Sequence, residues 1–326
     1  MKRKIIQQGH NALTVTLPSK WAKRHNLTPR DFLNIEEKGN NLVFSTDKEF
    51  TDSRTIEYNI TNLCARSIHR VIRALYKKGF DEVILKYEND ETDNFSFNGK
   101  MPVIEVVQDQ LNKLINFEIV DQGKGFCKIH DMSTSTGKEF YQLVRRCFLI
   151  LKEMSEELRE LTTNYQKETH KSIKLKHDII AKLIVFTIRV LNRDGHSTTL
   201  ENKFEYNPDN IIFYFYNNQA IHQIADLFNG LSQHIYHSKA KICADALKLY
   251  DEFVKNLELF YELFYKFDNE KLNQLSKRRF LIEKQFEELR QTKANKTDML
   301  FIGRIVEMNH QIAFVIESEI SIRCER

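Results

Sequence analysis

The sequence predicts a multidomain, mainly α protein: a small β domain over residues 1–50, a small α+β module over 51–132, and a helical domain over 133–326 made of two three-helix units, about 133–239 and 240–326. Three observations predict it. Gly and Pro are scarce, at 10 and 4 of 326 residues, which favours long helices over turns. From residue 133 onward every long segment repeats apolar residues at helical spacing. The first 31 residues instead hold β-branched runs around turn residues, and they carry Lys2, Arg3, Lys4, Lys20, Lys23, Arg24 and Arg30 with no carboxylate before Asp31.

In the first domain, residues 5–6 and 14–17 read as strands on either side of the turn-forming Gly9, His10 and Asn11. Pro18 ends the second strand. Ser19 is expected to cap a short helix carrying Trp21, Ala22, Lys23 and Arg24, and Asn26 with Pro29 to end it. Two further strands, 32–37 and 41–45, are joined at Lys38, Gly39 and Asn40. The chain as a whole is nearly balanced, with 49 basic and 45 acidic residues, so the segregated N-terminal cluster is an electrostatic footprint for phosphates. Lys2, Arg3, Lys4, Lys20, Lys23 and Arg24 suit the phosphates, and Gln8, His10 and Asn11 at the hairpin turn suit base edges.

This order of strand, Gly-containing turn, strand ending in Leu17-Pro18, short basic helix, Asn26-Leu27-x-Pro29-x-Asp31 and two strands resembles the AbrB/SpoVT/MazE swapped-hairpin DNA-binding domain. The resemblance implies an obligate dimer of interleaved hairpins, whose basic residues around the first hairpin and short helix meet DNA. Arg30 stands where that family's turn usually has Gly.

In the module, a strand at 54–60 leads to a helix capped by Asn62, with Ala65, Ile68, Val71, Ile72 and Leu75 at helical spacing. A strand at 82–87, a helix at 101–114 with Pro102 in its first turn, and a hairpin of 117–120 and 126–129 across Gly123 and Gly125 follow. The Gly123-x-Gly125 pair lacks the Lys-Ser/Thr of a phosphate loop. Beyond the polar stretch 133–137, six helices are expected near 140–161, 168–193, 210–239, 240–266, 268–292 and 297–323, and their centres suggest a duplicated three-helix unit.

A swapped-hairpin domain, an α+β module and two long three-helix units resemble the archaeal PhoU-family phosphate-uptake regulators. That resemblance implies a carboxylate pair on the third helix of each unit that holds iron or another metal, and a phosphate-transporter ATPase or sensor kinase as partner. Superposition puts Asn229 and Gln233 at that pair in the first unit and Gly303 and Glu307 in the second, so three of four ligands are missing. Other metal candidates are His222 and Asp226, at i and i+4 on one helical face, and Glu307 with His310. His234 and His237 lie one turn apart. Neutral amides do not offset a cation's charge, so no multinuclear iron is expected, and any metal is a single weakly held ion.

Five scattered cysteines, without a CxxC pair, suit reduced thiols in the cytoplasm. No apolar run approaches the ~18 residues that span a bilayer, and Gln7, Gln8 and Gly9 break up any signal-peptide core. Neither a nucleophile elbow, a Walker loop, HExxH nor a dinucleotide fingerprint is present, so no enzyme is expected. The leading expectation is a homodimeric DNA-binding transcriptional regulator, of phosphate uptake by resemblance, whose helical half senses a signal or docks a partner. The alternative is a PhoU-like adaptor that acts by protein contacts, its β domain serving mainly for dimerisation. An antitoxin of the MazE kind suits the first 46 residues but not about 190 residues of patterned helix.

Overall fold

The computed structural model describes residues 2–9, 12–46, 54–96, 98–132, 140–194, 210–239, 241–291 and 295–324. These divide into two compact units, one within 2–46 and one from residue 54 onward. The protein is mainly helical, with small β sheets toward its N-terminus.

In the first unit, β1 (Ile6–Gln8) pairs antiparallel with β2 (Ala12–Thr14), Ile6 opposite Thr14. The second strand thus ends at Thr14, short of the expected 17, and residues 15–18 belong to no ladder. Helix α1 (Ser19–Arg24) follows, with Pro18 and not Ser19 at its N-cap and no side-chain cap. The left-handed residue after it is Asn26, at φ 49°. Arg30 has no positive φ, so its turn has no need of glycine; the Asp31 carboxylate closes it by accepting from the Thr28 N–H and hydroxyl. β3 (Asn34–Lys38) and β4 (Asn41–Ser45) form a second hairpin with Ile35 opposite Phe44. No hydrophobic side chain of this unit is fully buried among the described residues; Leu13 is 72 %, Ile35 61 % and Phe32 92 % exposed.

The larger unit begins with β5 (Thr55–Asn59), α2 (Ala65–Lys78) and β6 (Glu82–Lys86), a parallel pair with a crossover helix. Cys64 is the N-cap of α2; the expected cap, Asn62, sits at φ 62° in the preceding turn. β7 (Glu91–Asn94) and β8 (Gly99–Pro102) form a hairpin where the sequence predicts helix from 101, and Pro102 is the N-cap of α3 (Val103–Leu111). β9 (Phe117–Gly123) and β10 (Phe126–Asp131) complete a four-stranded sheet of order β5-β6-β10-β9. Gly125, at φ 77°, is required at their turn: a Cβ there would lie 2.9 Å from the Tyr87 carbonyl. Ile68, Ile72 and Tyr76 of α2 pack on Val83, Leu85, Cys127 and Ile129 of the sheet and Val106, Val107 and Leu111 of α3.

Six long helices follow: α4 (Phe140–Asn164), α5 (Lys167–Asp194), α6 (Ile211–Ser238), α7 (Ala244–Tyr265), α8 (Asn269–Gln291) and α9 (Lys296–Arg323). The first three pack on one another, as do the last three, and the two groups meet along α6 and α9. Asn217 donates to Glu319 at 2.6 Å and Asn256 to Asn309 at 2.7 Å inside this packing, and the Tyr250 hydroxyl donates to the Ser155 carbonyl at 2.6 Å. Contrary to the sequence expectation, one helix among the described residues, α9, is long and apolar enough to cross a membrane. Here Phe301, Ile302, Ile305, Met308, Ile312 and Val315 are buried in the helical core, as in a core helix.

Helix α5 also holds the module. Arg189, 2 % exposed, donates to Asp131 at 2.6 and 3.2 Å and to the Tyr76 carbonyl at 2.8 Å, and lies over the Tyr76 and Phe117 rings. Asn192 donates to the Lys77 carbonyl, and Arg193 pairs with Asp131 and Asp81. The last carbonyls of α2 are thereby capped by side chains of α5.

Candidate functional site

Two groups of side chains have functional geometry, one in each unit. In the N-terminal unit, the backbone before β1 carries Lys2, Arg3 and Lys4, and α1 carries Lys20, Lys23 and Arg24 at i, i+3 and i+4, hence on one helical face. All six are exposed, and no carboxylate among the described residues pairs with them. Off that face, Trp21 and Ala22 are half-buried, and the Trp21 ring lies 4.9 Å from that of His25. Gln8 is exposed at the end of β1, while His10 and Asn11 lie outside the described residues. The same unit leaves apolar residues of both hairpins exposed, Ile6, Leu13, Ile35, Leu42 and Phe44.

In the larger unit, the expected pair His222 and Asp226 on α6 is joined by His177 on α5. His177 Nε2 lies 2.7 Å from Asp226 Oδ1, and its Nδ1 lies 3.0 Å from Asp178 Oδ1. His222 Nε2 is 3.9 Å from Asp226 Oδ1, beyond hydrogen-bond distance, and the two imidazoles stack at 6.2 Å with 22° between planes. The hydrogen bond with Asp226 raises the His177 pKa against the opposing effect of burial, and Asp178 adds to the rise. Burial lowers that of His222, with His177, Lys77 and Arg73 pushing the same way and Asp226 opposing. For Asp226 burial acts upward, but His177 and His222 outweigh it and hold the carboxyl below the usual range. The arrangement offers two imidazole nitrogens and one carboxylate oxygen to a shared point.

Glu307 and His310 are not part of it. Both are exposed on α9, Glu307 paired with Arg304 at 2.6 Å and His310 with Glu283 of α8 at 3.2 Å, apart from the group of His177, His222 and Asp226. At the positions implied by the PhoU resemblance, a Cβ on Gly303 would meet nothing within 4 Å. His237 stays with His170, which bonds Ser232 at 2.8 Å and stacks on Tyr236. His177 was missed in the sequence because it stands far along the chain from His222, on another helix. Its signal was its position: with Ile173 and Ile180 it falls on the apolar stripe of α5, where a histidine needs a partner.

No protein-family model matches the chain, and neither does any curated protein or solved structure.

Proposed function

We propose that the protein is a homodimeric DNA-binding transcriptional regulator whose N-terminal unit contacts DNA. The observation that carries this reading is a coincidence in one small unit. Six exposed cations, without a carboxylate partner among the described residues, share the unit with hairpins whose apolar side chains are left uncovered. Two-stranded hairpins are marginal in water by themselves, and a second copy laying its hairpins across Leu13, Ile35, Leu42 and Phe44 would supply the missing core. Doubling the unit also doubles the cationic surface, which suits a duplex with two half-sites.

In this reading Lys2, Arg3, Lys4, Lys20, Lys23 and Arg24 neutralise phosphates, and Gln8, His10 and Asn11 read base edges. The resemblance to swapped-hairpin domains and to PhoU-family regulators supports both the dimer and a role in phosphate uptake, with a transporter ATPase or sensor kinase as partner and the cytoplasm as location. The adaptor reading has its own support in α8, which buries only Leu275 and Ile282 while Phe280 is 64 % exposed. Selection from a random pool of DNA duplexes with the full chain separates the two. Enrichment of a shared, two-fold symmetric sequence supports the regulator; a pool that stays random after repeated rounds favours the adaptor.

A further inference from the structure

We propose that His177, His222 and Asp226 form a binding site for one divalent first-row transition ion of the zinc or cobalt type, which ties α5 to α6. The proposal goes beyond the DNA-binding reading and does not depend on it.

The ligand set selects the class of ion. Two imidazoles with one carboxylate suit zinc, cobalt, nickel or ferrous iron, whereas magnesium and calcium ask for oxygen ligands. The three candidate ligand atoms lie within 4.8 Å of one another. Bonds of about 2.0–2.1 Å to a tetrahedral ion would set them roughly 3.3 Å apart, so closure needs relative movements of about 1 Å. Helix geometry already holds His222 and Asp226 on one face, and the packing of α5 on α6 brings His177 to them.

Asp178 supplies the second partner that metal-binding histidines commonly have. Its carboxylate lies behind the ring, 3.0 Å from Nδ1, which fixes the orientation of His177 and leaves Nε2 as the ligand atom. His222 points the same way. It is a largely enclosed imidazole, its side chain 24 % exposed, yet among the described residues its ring makes no hydrogen bond. A structural pair would need His177 and Asp226 only; a metal gives the third group its purpose. Asp226 is half exposed, which leaves the remaining coordination position open to water.

The surrounding charge sets the strength. Asp226 and Asp178 compensate the cation, while Lys77 and Arg73 of α2, close enough to act on His222, oppose it. One ion held with modest affinity is the expected result.

The test is titration of the full chain, without a histidine tag and freed of metal by chelator, with zinc in a calorimeter and with cobalt by visible absorption. The expected result is one equivalent per chain with a tetrahedral or five-coordinate cobalt spectrum. His177→Gln and His222→Gln, each checked for parental helicity by circular dichroism, should lose at least about 100-fold in affinity. Asp178→Asn should lose about 10- to 100-fold while keeping the stoichiometry. Glu307→Gln and His310→Ala should bind as the parent does. Absence of saturable binding to the parent would overturn the proposal, and so would parental affinity in folded His177→Gln and His222→Gln, which would place the ion on other histidines.

Discussion

Arg189 is the side chain on which the join between module and helices depends. A guanidinium this enclosed is tolerable only because Asp131, the Tyr76 carbonyl and two ring faces surround it. Asp131→Asn leaves Arg189 without its closest counter-charge and should lower the unfolding free energy by about 3–5 kcal/mol, measured by urea denaturation. Arg189→Met combined with Asp131→Asn should cost less than the two single changes summed, because the charges are removed together. Glu319 gives a second residue-scale prediction. Burial pushes its carboxyl up to about 7, against the pull of Arg323 on α9 and of the hydrogen bond from Asn217 on α6, with the Tyr141 hydroxyl of α4 also close by. A carboxyl whose folded pKa is raised above its unfolded value stabilises fully below about 4.5 and loses that contribution as pH rises through about 7. Between pH 4.5 and pH 8 the parent should therefore lose on the order of 3 kcal/mol relative to Glu319→Gln, read from paired denaturation curves.

Elements were legible where one period repeats for long enough. The helix expected near 168–193 is Lys167–Asp194, and the one near 297–323 is Lys296–Arg323, because three or more turns of apolar spacing outweigh any single residue. The β7-β8 hairpin was not legible. Its residues, Glu91–Asn94 and Gly99–Pro102, have no apolar alternation, and its backbone ladder is supplemented by side-chain bonds, Asn94 to the Met101 sulfur and Thr92 to the Leu63 carbonyl. Helix α5 shows a subtler limit: Leu183, Ile184, Val185, Phe186 and Ile188 are all buried because the helix packs on α2 as well as on α4 and α6, which blurs the stripe that would reveal His177 and Arg189 as special. Of the candidate site, therefore, the i, i+4 pair was visible and its third member was not. The hairpins carry the element-scale prediction. On the proposed reading of a dimer that covers these apolar positions, a carboxylate there should block association, so Leu13→Glu with Phe44→Glu should give a monomer in light scattering where the parent gives a dimer, while leaving the helical circular dichroism unchanged.

At the scale of the whole molecule, charge is segregated and not abundant. A formal net charge of +4 on 326 residues attracts polyanions weakly, so on the proposed reading any DNA affinity comes from the local cluster of the N-terminal unit. The helical unit mixes its charges into pairs such as Arg159 with Asp251, Lys176 with Glu157 and Arg278 with Glu252, which leaves it little net field. On the proposed reading, DNA is met by a small part of the chain, and the long helices serve packing and ligand or partner binding. The most direct test is the salt dependence of affinity for a fluorescent duplex, measured by anisotropy with the full chain and with Lys4→Ala, Lys20→Ala and Arg24→Ala combined. Every cation withdrawn from a phosphate takes about one unit off the slope of log affinity against log salt, so the variant should bind all sequences more weakly and with a shallower slope by about three units per subunit engaged. Equal affinity and equal slope for parent and variant would contradict the assignment of this cluster as the DNA-binding surface.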